Sequence, residues 1–110
     1  MKDLTKIEEI LLLSIWELKD KAYGFKIRHH VSNIIDKDFT YGNLYSALDR
    51  LTRKKYVLKR PGESTSQRRG KTRMYYTLSS AGIDALKAAC VLNQKLWAGL
   101  KPCSFETQSK

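Results

Sequence analysis

The chain has 110 residues and is poor in the residue types from which most chemical sites are built. Its two cysteines, Cys90 and Cys103, are too far apart for a CxxC motif. Its two histidines, His29 and His30, are neighbours that point in different directions on a helix. Neither a metal site nor a structural disulfide is expected from such a set, and no cofactor is implied. No nucleophile stands with a base and an orienting acid, and the carboxylates fall largely opposite Lys or Arg on helices, so an enzyme is not expected. The longest apolar block, "ILLLSIW" at residues 10–16, is far below the roughly 18 residues of a membrane span. It follows acidic residues rather than a basic segment, which is not the pattern of a signal peptide. The expectation is a cytoplasmic protein that does not engage a membrane.

Acidic residues are also scarce over one stretch. The net charge is +10, yet residues 1–40 are neutral, with seven cations and seven anions. Residues 41–73 hold ten cations and two anions, net +8, and residues 74–110 are net +2. A scattered excess would only keep the surface solvated. Concentrated into a third of the chain, it favours a polyanionic partner.

The apolar pattern supplies the framework for that charge. Thr5 and Glu8 have capping-box spacing, and Ile7, Leu11, Ile15 and Leu18 recur at helical intervals, so a first helix is expected over about 4–19. Ile10, Leu12, Leu13 and Trp16 widen its apolar face and imply a central, largely buried position. Tyr23, Ile27, Val31, Ile34 and Ile35 predict a second helix. Thr40 caps a third, with Leu44, Leu48 and Leu51 turned to the core and Asn43, Ser46, Arg50 and Arg53 on the other side.

"YVLKRPG" and "TRMYYTL" then read as two strands joined by a long, basic loop. Ser79 or Ser80 starts a last helix over about 80–100. The fold class is mainly α with a small β-hairpin (α+β), in the order of a winged helix-turn-helix. The organisation is a DNA-binding domain over 1–79, a dimerisation helix over 80–100 packed on it, and a flexible tail over 101–110.

In such a fold the third helix enters the major groove and the hairpin loop follows the backbone. Asn43, Ser46 and Arg50 are placed to reach base edges, since Asn can pair with adenine and Arg with guanine. Arg53 and Lys54 suit phosphates, as do Arg68, Arg69, Lys71 and Arg73 on the loop, where Gly70 allows the tip to bend. Tyr41 opens the third helix where base or sugar contacts begin. Tyr45 either contacts DNA or packs at the domain boundary. Tyr75 and Tyr76 alternate faces on a strand, so one belongs to the core, and both read as structural.

"YGNLYSALDRLTRKKYV" followed by "RMYYTLSSAGIDAL" resembles the PadR family of bacterial transcription regulators. The resemblance is carried by Leu44, Tyr45, Leu48, Arg50 and Leu51, then by Tyr75, Tyr76, Leu78, Ser79, Ala81 and Gly82, with "AYGFKI" like the family's second-helix start. It spans about residues 5–88 and implies a homodimeric regulator, usually a repressor, that binds a near-palindromic operator in double-stranded DNA and is often released by a small molecule. Three positions depart from the family pattern: Lys55 where a glycine is usual, Tyr41 where proline is frequent, and Ser79 in place of threonine. Lys55 either takes a left-handed conformation or the helix before it ends differently.

The last helix has two apolar faces. Ile83, Leu86, Cys90, Asn93, Trp97 and Leu100 form one and are expected at a dimer interface, with Asn93 setting register. Ala85, Ala89, Leu92 and Leu96 form the other, which would cover the parent domain. Packing wholly within one chain is the alternative. Trp97 anchors the dimer or lines a pocket for a small hydrophobic or aromatic effector. Beside the DNA-binding regulator, a winged-helix module that holds RNA or an acidic protein partner through its basic face stays open.

Overall fold

The computed structural model describes residues 4–62 and 73–100. The wing residues Arg68, Arg69, Gly70 and Lys71 and the expected tail over 101–110 lie outside the described residues.

Helix α1 (Lys6–Leu18) begins at a complete capping box, in which Thr5 Oγ1 accepts from the Glu8 amide at 3.1 Å and Glu8 Oε1 accepts from the Thr5 amide at 3.0 Å. Leu11, Leu12 and Ile15 are its buried stripe. The wider burial expected from the sequence is not found, because Leu13 and Trp16 are exposed by 41% and 52%. A 3₁₀ turn (Lys19–Lys21) leads to α2 (Gly24–Ile35), whose Ile27 and Val31 complete the contact with α1. His30 secures the same pair of helices: its Nδ1 lies 2.9 Å from Ser14 Oγ and its Nε2 lies 3.3 Å from Glu17 Oε1.

The turn between α2 and the next helix is closed by Ser32 Oγ, which accepts from the Phe39 amide at 3.0 Å. Asp36 ends α2 in the left-handed conformation. Helix α3 (Tyr41–Arg53) follows, with Thr40 Oγ1 accepting from the Asn43 amide at 3.1 Å. Leu44, Ala47, Leu48 and Leu51 bury one side of it against α1 and α2.

The departure at Lys55 takes the first of its two forms. Lys55 has φ 66°. Its amide donates to Thr52 O at 3.0 Å, and that of Tyr56 donates to Leu51 O at 3.0 Å. This is the Schellman pattern, which satisfies the last carbonyls of α3 with a lysine where glycine is the unstrained choice.

Strands β1 (Val57–Pro61) and β2 (Met74–Leu78) pair antiparallel, with register from Val57↔Leu78 to Pro61↔Met74. Tyr23 adds a single bridge to Tyr75, and the Tyr76 amide donates to Ala22 O at 2.8 Å, so the start of α2 is tied to the hairpin. Tyr76 is the core member of the tyrosine pair, 6% exposed. Helix α4 (Ser80–Leu96) starts at Ser79, whose Oγ accepts from the Gly82 amide at 3.0 Å and donates to Lys55 O at 2.6 Å. Gly82 is required there: a Cβ would overlap the Tyr56 carbonyl, so the first turn of α4 lies against the exit from α3.

One carboxylate is enclosed by this framework. Glu8 is 1% exposed, and besides the Thr5 amide its carboxylate meets Lys54 Nζ at 2.8 Å and Arg50 Nε at 3.8 Å. Burial pushes its pKa up, but the hydrogen bonds from Lys54 and Thr5 and the charges of Lys54 and Arg50 outweigh burial and hold it below the ordinary value.

Two outcomes follow from these positions. Replacing Lys55 by glycine removes a left-handed penalty of about 1–2 kcal/mol and adds about 0.5–1 kcal/mol of unfolded-chain entropy. Urea titration of Lys55→Gly should therefore show a net gain of roughly 0.5–1 kcal/mol. Glu8, with its folded pKa depressed, contributes stability that is complete above its unfolded value of 4.5 and is lost as pH falls through the lower folded value. The stability difference between the parent and Glu8→Gln should be flat from about pH 5 to 7 and should shrink at more acid pH. A difference independent of pH throughout would show that Glu8 is not held as a carboxylate.

Candidate nucleic-acid interface

Helices α2 and α3 form a helix-turn-helix, and the outward side of α3 follows from its buried side. Opposite Leu44, Leu48 and Leu51, the helical repeat places Gly42, Ser46, Asp49 and Arg53, all exposed. Asn43 flanks this face at the first turn and is exposed. These positions form a polar surface unobstructed by other described elements of the fold.

The expected DNA contacts separate into distinct groups. Asn43, Ser46 and Arg53 stand on or beside the outward face. Lys54 does not, because its ammonium is committed to Glu8 at 2.8 Å and thereby serves the core. Arg50 is shared: its Nε approaches Glu8 at 3.8 Å while its Nη1 donates to Ser46 Oγ at 3.5 Å. The guanidinium thus bridges the buried carboxylate and the outward face. Helical spacing alone puts both cations among exposed residues, since Glu8 is 46 positions away from Lys54.

Tyr41 and Tyr45 occupy the other flank of α3, with rings stacked at 6.1 Å. The two roles considered for Tyr45 are not exclusive. Its hydroxyl lies against Gly24, where a Cβ would overlap it, and yet the residue remains 44% exposed. A side chain at residue 24 would displace the Tyr45 hydroxyl, so the glycine leaves that ring its place. Arg28 fixes Tyr41 from behind: its guanidinium stands 4.5 Å from the ring centroid and donates to Asp38 Oδ1 at 2.9 Å and Phe39 O at 3.3 Å.

At the root of the wing, Arg73 lies over the Tyr23 ring at 3.9 Å. Tyr23 meets Tyr75 edge to face at 5.5 Å, and Arg60 covers Tyr75 at 5.0 Å. Alternating cations and rings therefore brace the outer face of the hairpin. Tyr75 is the outer member of the tyrosine pair and keeps the structural role expected of it.

Between the starts of α2 and α3 and the first residues of β2 is a recess of about 590 Å³, bordered by Tyr23, Phe25, Tyr41, Tyr45, Arg73 and Tyr76. Residues from the starts of α2 and α3 border it together with the Arg73 guanidinium, a cation suited to phosphate oxygens. Burial, with Tyr45 and Asp49 nearby, raises the pKa of the Tyr76 phenol, so it is a neutral hydroxyl at the floor. Tyr23, expected from periodicity only as part of the second helix, joins the site together with Phe25 and Arg28, which periodicity does not single out. Their signal is local: an aromatic pair around Gly24, and a cation one helical turn farther on.

Helix α4 divides the set expected at the dimer interface. Leu86 packs on the parent core, and Asn93 Nδ2 donates to Glu9 Oε2 of the same chain at 2.7 Å. Neither faces outward, and Ile83 is half-buried. Cys90, Trp97 and Leu100 of that set are exposed. Ala85, Ala88, Ala89 and Leu92, expected in part to cover the parent domain, instead line an open groove of about 450 Å³ with Leu4, Tyr56 and Glu9.

Among the described residues, no helix is long and apolar enough to cross a membrane. Among curated proteins no relative matches the chain. Solved structures do. A PadR family transcription regulator from hypervirulent Clostridium difficile is 33% identical, with 81% of this chain and 97% of that one covered and a TM-score of 0.55. A PadR-like transcription factor from Bacteroides fragilis is 26% identical over 82% of each chain, with a TM-score of 0.66. RosR of Halobacterium salinarum, 23% identical with 91% and 83% covered, shares the fold at a TM-score of 0.69. The first two are regulators rather than enzymes. The model of the transcriptional regulator PadR-like family matches residues 12–88, through the helix-turn-helix, the hairpin and the first half of α4, and the chain belongs to that family.

Proposed function

We propose that the protein is a sequence-specific regulator that binds a near-palindromic site in double-stranded DNA as a homodimer and acts as a repressor released by a small molecule. The observation that carries this reading is the outward face of α3, bearing Asn43, Ser46 and Arg53 and flanked by the tyrosine and arginine recess at the wing root. A helix seated in the major groove through that face brings the recess to the adjacent backbone, where Arg73 receives phosphates while Asn43 reaches base edges. Tyr41 and Tyr45 serve the sugar and phosphate side of the same contact. Arg68, Arg69 and Lys71 extend it along the backbone.

The homodimer is supported by the open face of α4. Val91, Leu92 and Leu96 are exposed by 49%, 53% and 66%, beside a groove floored by alanines. A second α4 fits such a floor, because small side chains let helix axes approach closely. Cys90, Trp97 and Leu100 border the same end of the helix, and Trp97 contributes either an anchor or one wall of an effector site between subunits.

Recovery of the preferred duplex by selection from random DNA, followed by titration of variants, tests the reading. Asn43→Ala should cost about 1–3 kcal/mol on the selected duplex and little on random DNA. Arg73→Ala should weaken both duplexes similarly and make the slope of log affinity against log salt shallower by about 1 for each phosphate left unneutralised. Equal losses on both duplexes for Asn43→Ala would move base reading off the start of α3, and failure to select any duplex would sink the DNA reading itself.

The oligomeric reading is checked by sedimentation. Leu92→Asp introduces a charge where the single chain is solvated, so the far-UV spectrum should be unchanged while the sedimenting species shifts from dimer to monomer. A variant that stays dimeric would remove this face of α4 from the interface.

A further inference from the structure

Helix α4 is attached to the rest of the chain at two separated places. Near its start, the Ser79 amide donates to Tyr56 O at 3.0 Å, Ser79 Oγ donates to Lys55 O at 2.6 Å, and Gly82 rests on the Tyr56 carbonyl. Eleven residues beyond Gly82, or about 16 Å along the helix axis, Asn93 holds Glu9 at 2.7 Å. The first attachment pins α4 to the exit of α3. The second pins it to the first turn of α1.

Glu8, adjacent to Glu9, points about 100° farther round α1. Its Oε2 takes Lys54 at 2.8 Å, with Arg50 at 3.8 Å, both from the end of α3. Neighbouring carboxylates on one helical turn therefore grip α4 on one side and α3 on the other. The reciprocal capping box between Thr5 and Glu8 stiffens that turn, so the two carboxylates move together. Glu8 cannot release Lys54 cheaply, because the carboxylate would remain buried without its cation. A tilt of α4 about the Gly82 contact displaces Asn93, then the first turn of α1, then the end of α3 that carries Arg50.

We propose that Glu8 and Glu9 are positioning residues that transmit the seating of α4 to the recognition helix, so that the arrangement of α4 sets how α3 presents its outward face. This rests on the DNA-binding reading for its biological meaning, though the mechanical link can be measured without DNA.

The test is a thermodynamic cycle between Asn93→Ala and Glu8→Gln, read by amide hydrogen exchange in the DNA-free full chain and by the ratio of affinities for the selected and random duplexes. Asn93→Ala alone should speed exchange at residues 51–56 by about tenfold and lower the affinity ratio by about as much. In the Glu8→Gln background the same change should add less than about twofold to either. If Glu8→Gln does not fold, Lys54→Gln removes the closer of the two α3 cations and weakens the same link. Effects of Asn93→Ala that are equal in both backgrounds, or exchange at 51–56 that never responds to it, would overturn the proposal. A parent protein that fails to distinguish the two duplexes would defeat the DNA reading, while the exchange cycle would still decide the link.

Discussion

The buried Glu8 carboxylate is the interaction on which the arrangement of the helices turns. An isolated ionised carboxylate in a protein interior would be costly enough to neutralise or to unfold its surroundings. Here the capping box, the Lys54 ammonium and the Arg50 guanidinium satisfy it together. The cations come from α3 and its cap and the carboxylate from α1, so the two helices are fixed in rotation as well as distance. Hydrophobic contact between Leu11 or Ile15 and the α3 stripe tolerates sliding; a charge with specified partners does not. Such a pair adds little net stability over apolar residues, and its value lies in specifying one geometry.

The surface of α3 illustrates how aromatic residues can be both exposed and rigid. Tyr41 and Tyr45 are each a little under half exposed, yet the first is backed by Arg28 and the second is set against Gly24. Tyr23 and Tyr75 are braced by Arg73 and Arg60 in the same manner. Side chains that would otherwise pay rotamer entropy on meeting a partner are held in position beforehand. Arg28 spends its edge on Asp38 and Phe39, whereas stacking of Arg60 and Arg73 uses the guanidinium face, a mode that leaves edge donors for an incoming anion.

Much of the fold is legible in the sequence because its signals are local. The Thr5 and Glu8 box, the Thr40 and Ser79 caps and the alternating Tyr75 and Tyr76 each depend on residues a few positions apart, and the structure contains them all. Lys55 reads in the sequence as a choice between two conformations, and the Schellman bonds show which one the chain adopts. The site is less legible where a partner is distant. Lys54 and Arg50 resemble solvated cations until Glu8 is brought beside them. The split of the expected outward set on α4 has a related reason: both faces are apolar by periodicity, and it is the packing of Leu86 on the core and the Asn93 contact with Glu9 that turn part of that set inward. Leu13 and Trp16 are exposed despite a wide apolar pattern on α1, because α2 and α3 cover only one side of that helix.

The hairpin has one further property, visible in β1. β2 is tied to the start of α2 on its far side, through Ala22 and Tyr23, whereas β1 is the terminal strand of the small sheet. It is five residues long, four of them exposed, and it runs through Lys59 and Arg60 into Pro61. Brevity, positive charge and an imino acid all oppose the addition of a strand from another molecule. Copies crowded side by side along a polyanion, with their charges partly neutralised, would be brought into the conditions that promote sheet growth between molecules. The composition of this margin keeps close neighbours from zipping together, so proximity need not lead to aggregation.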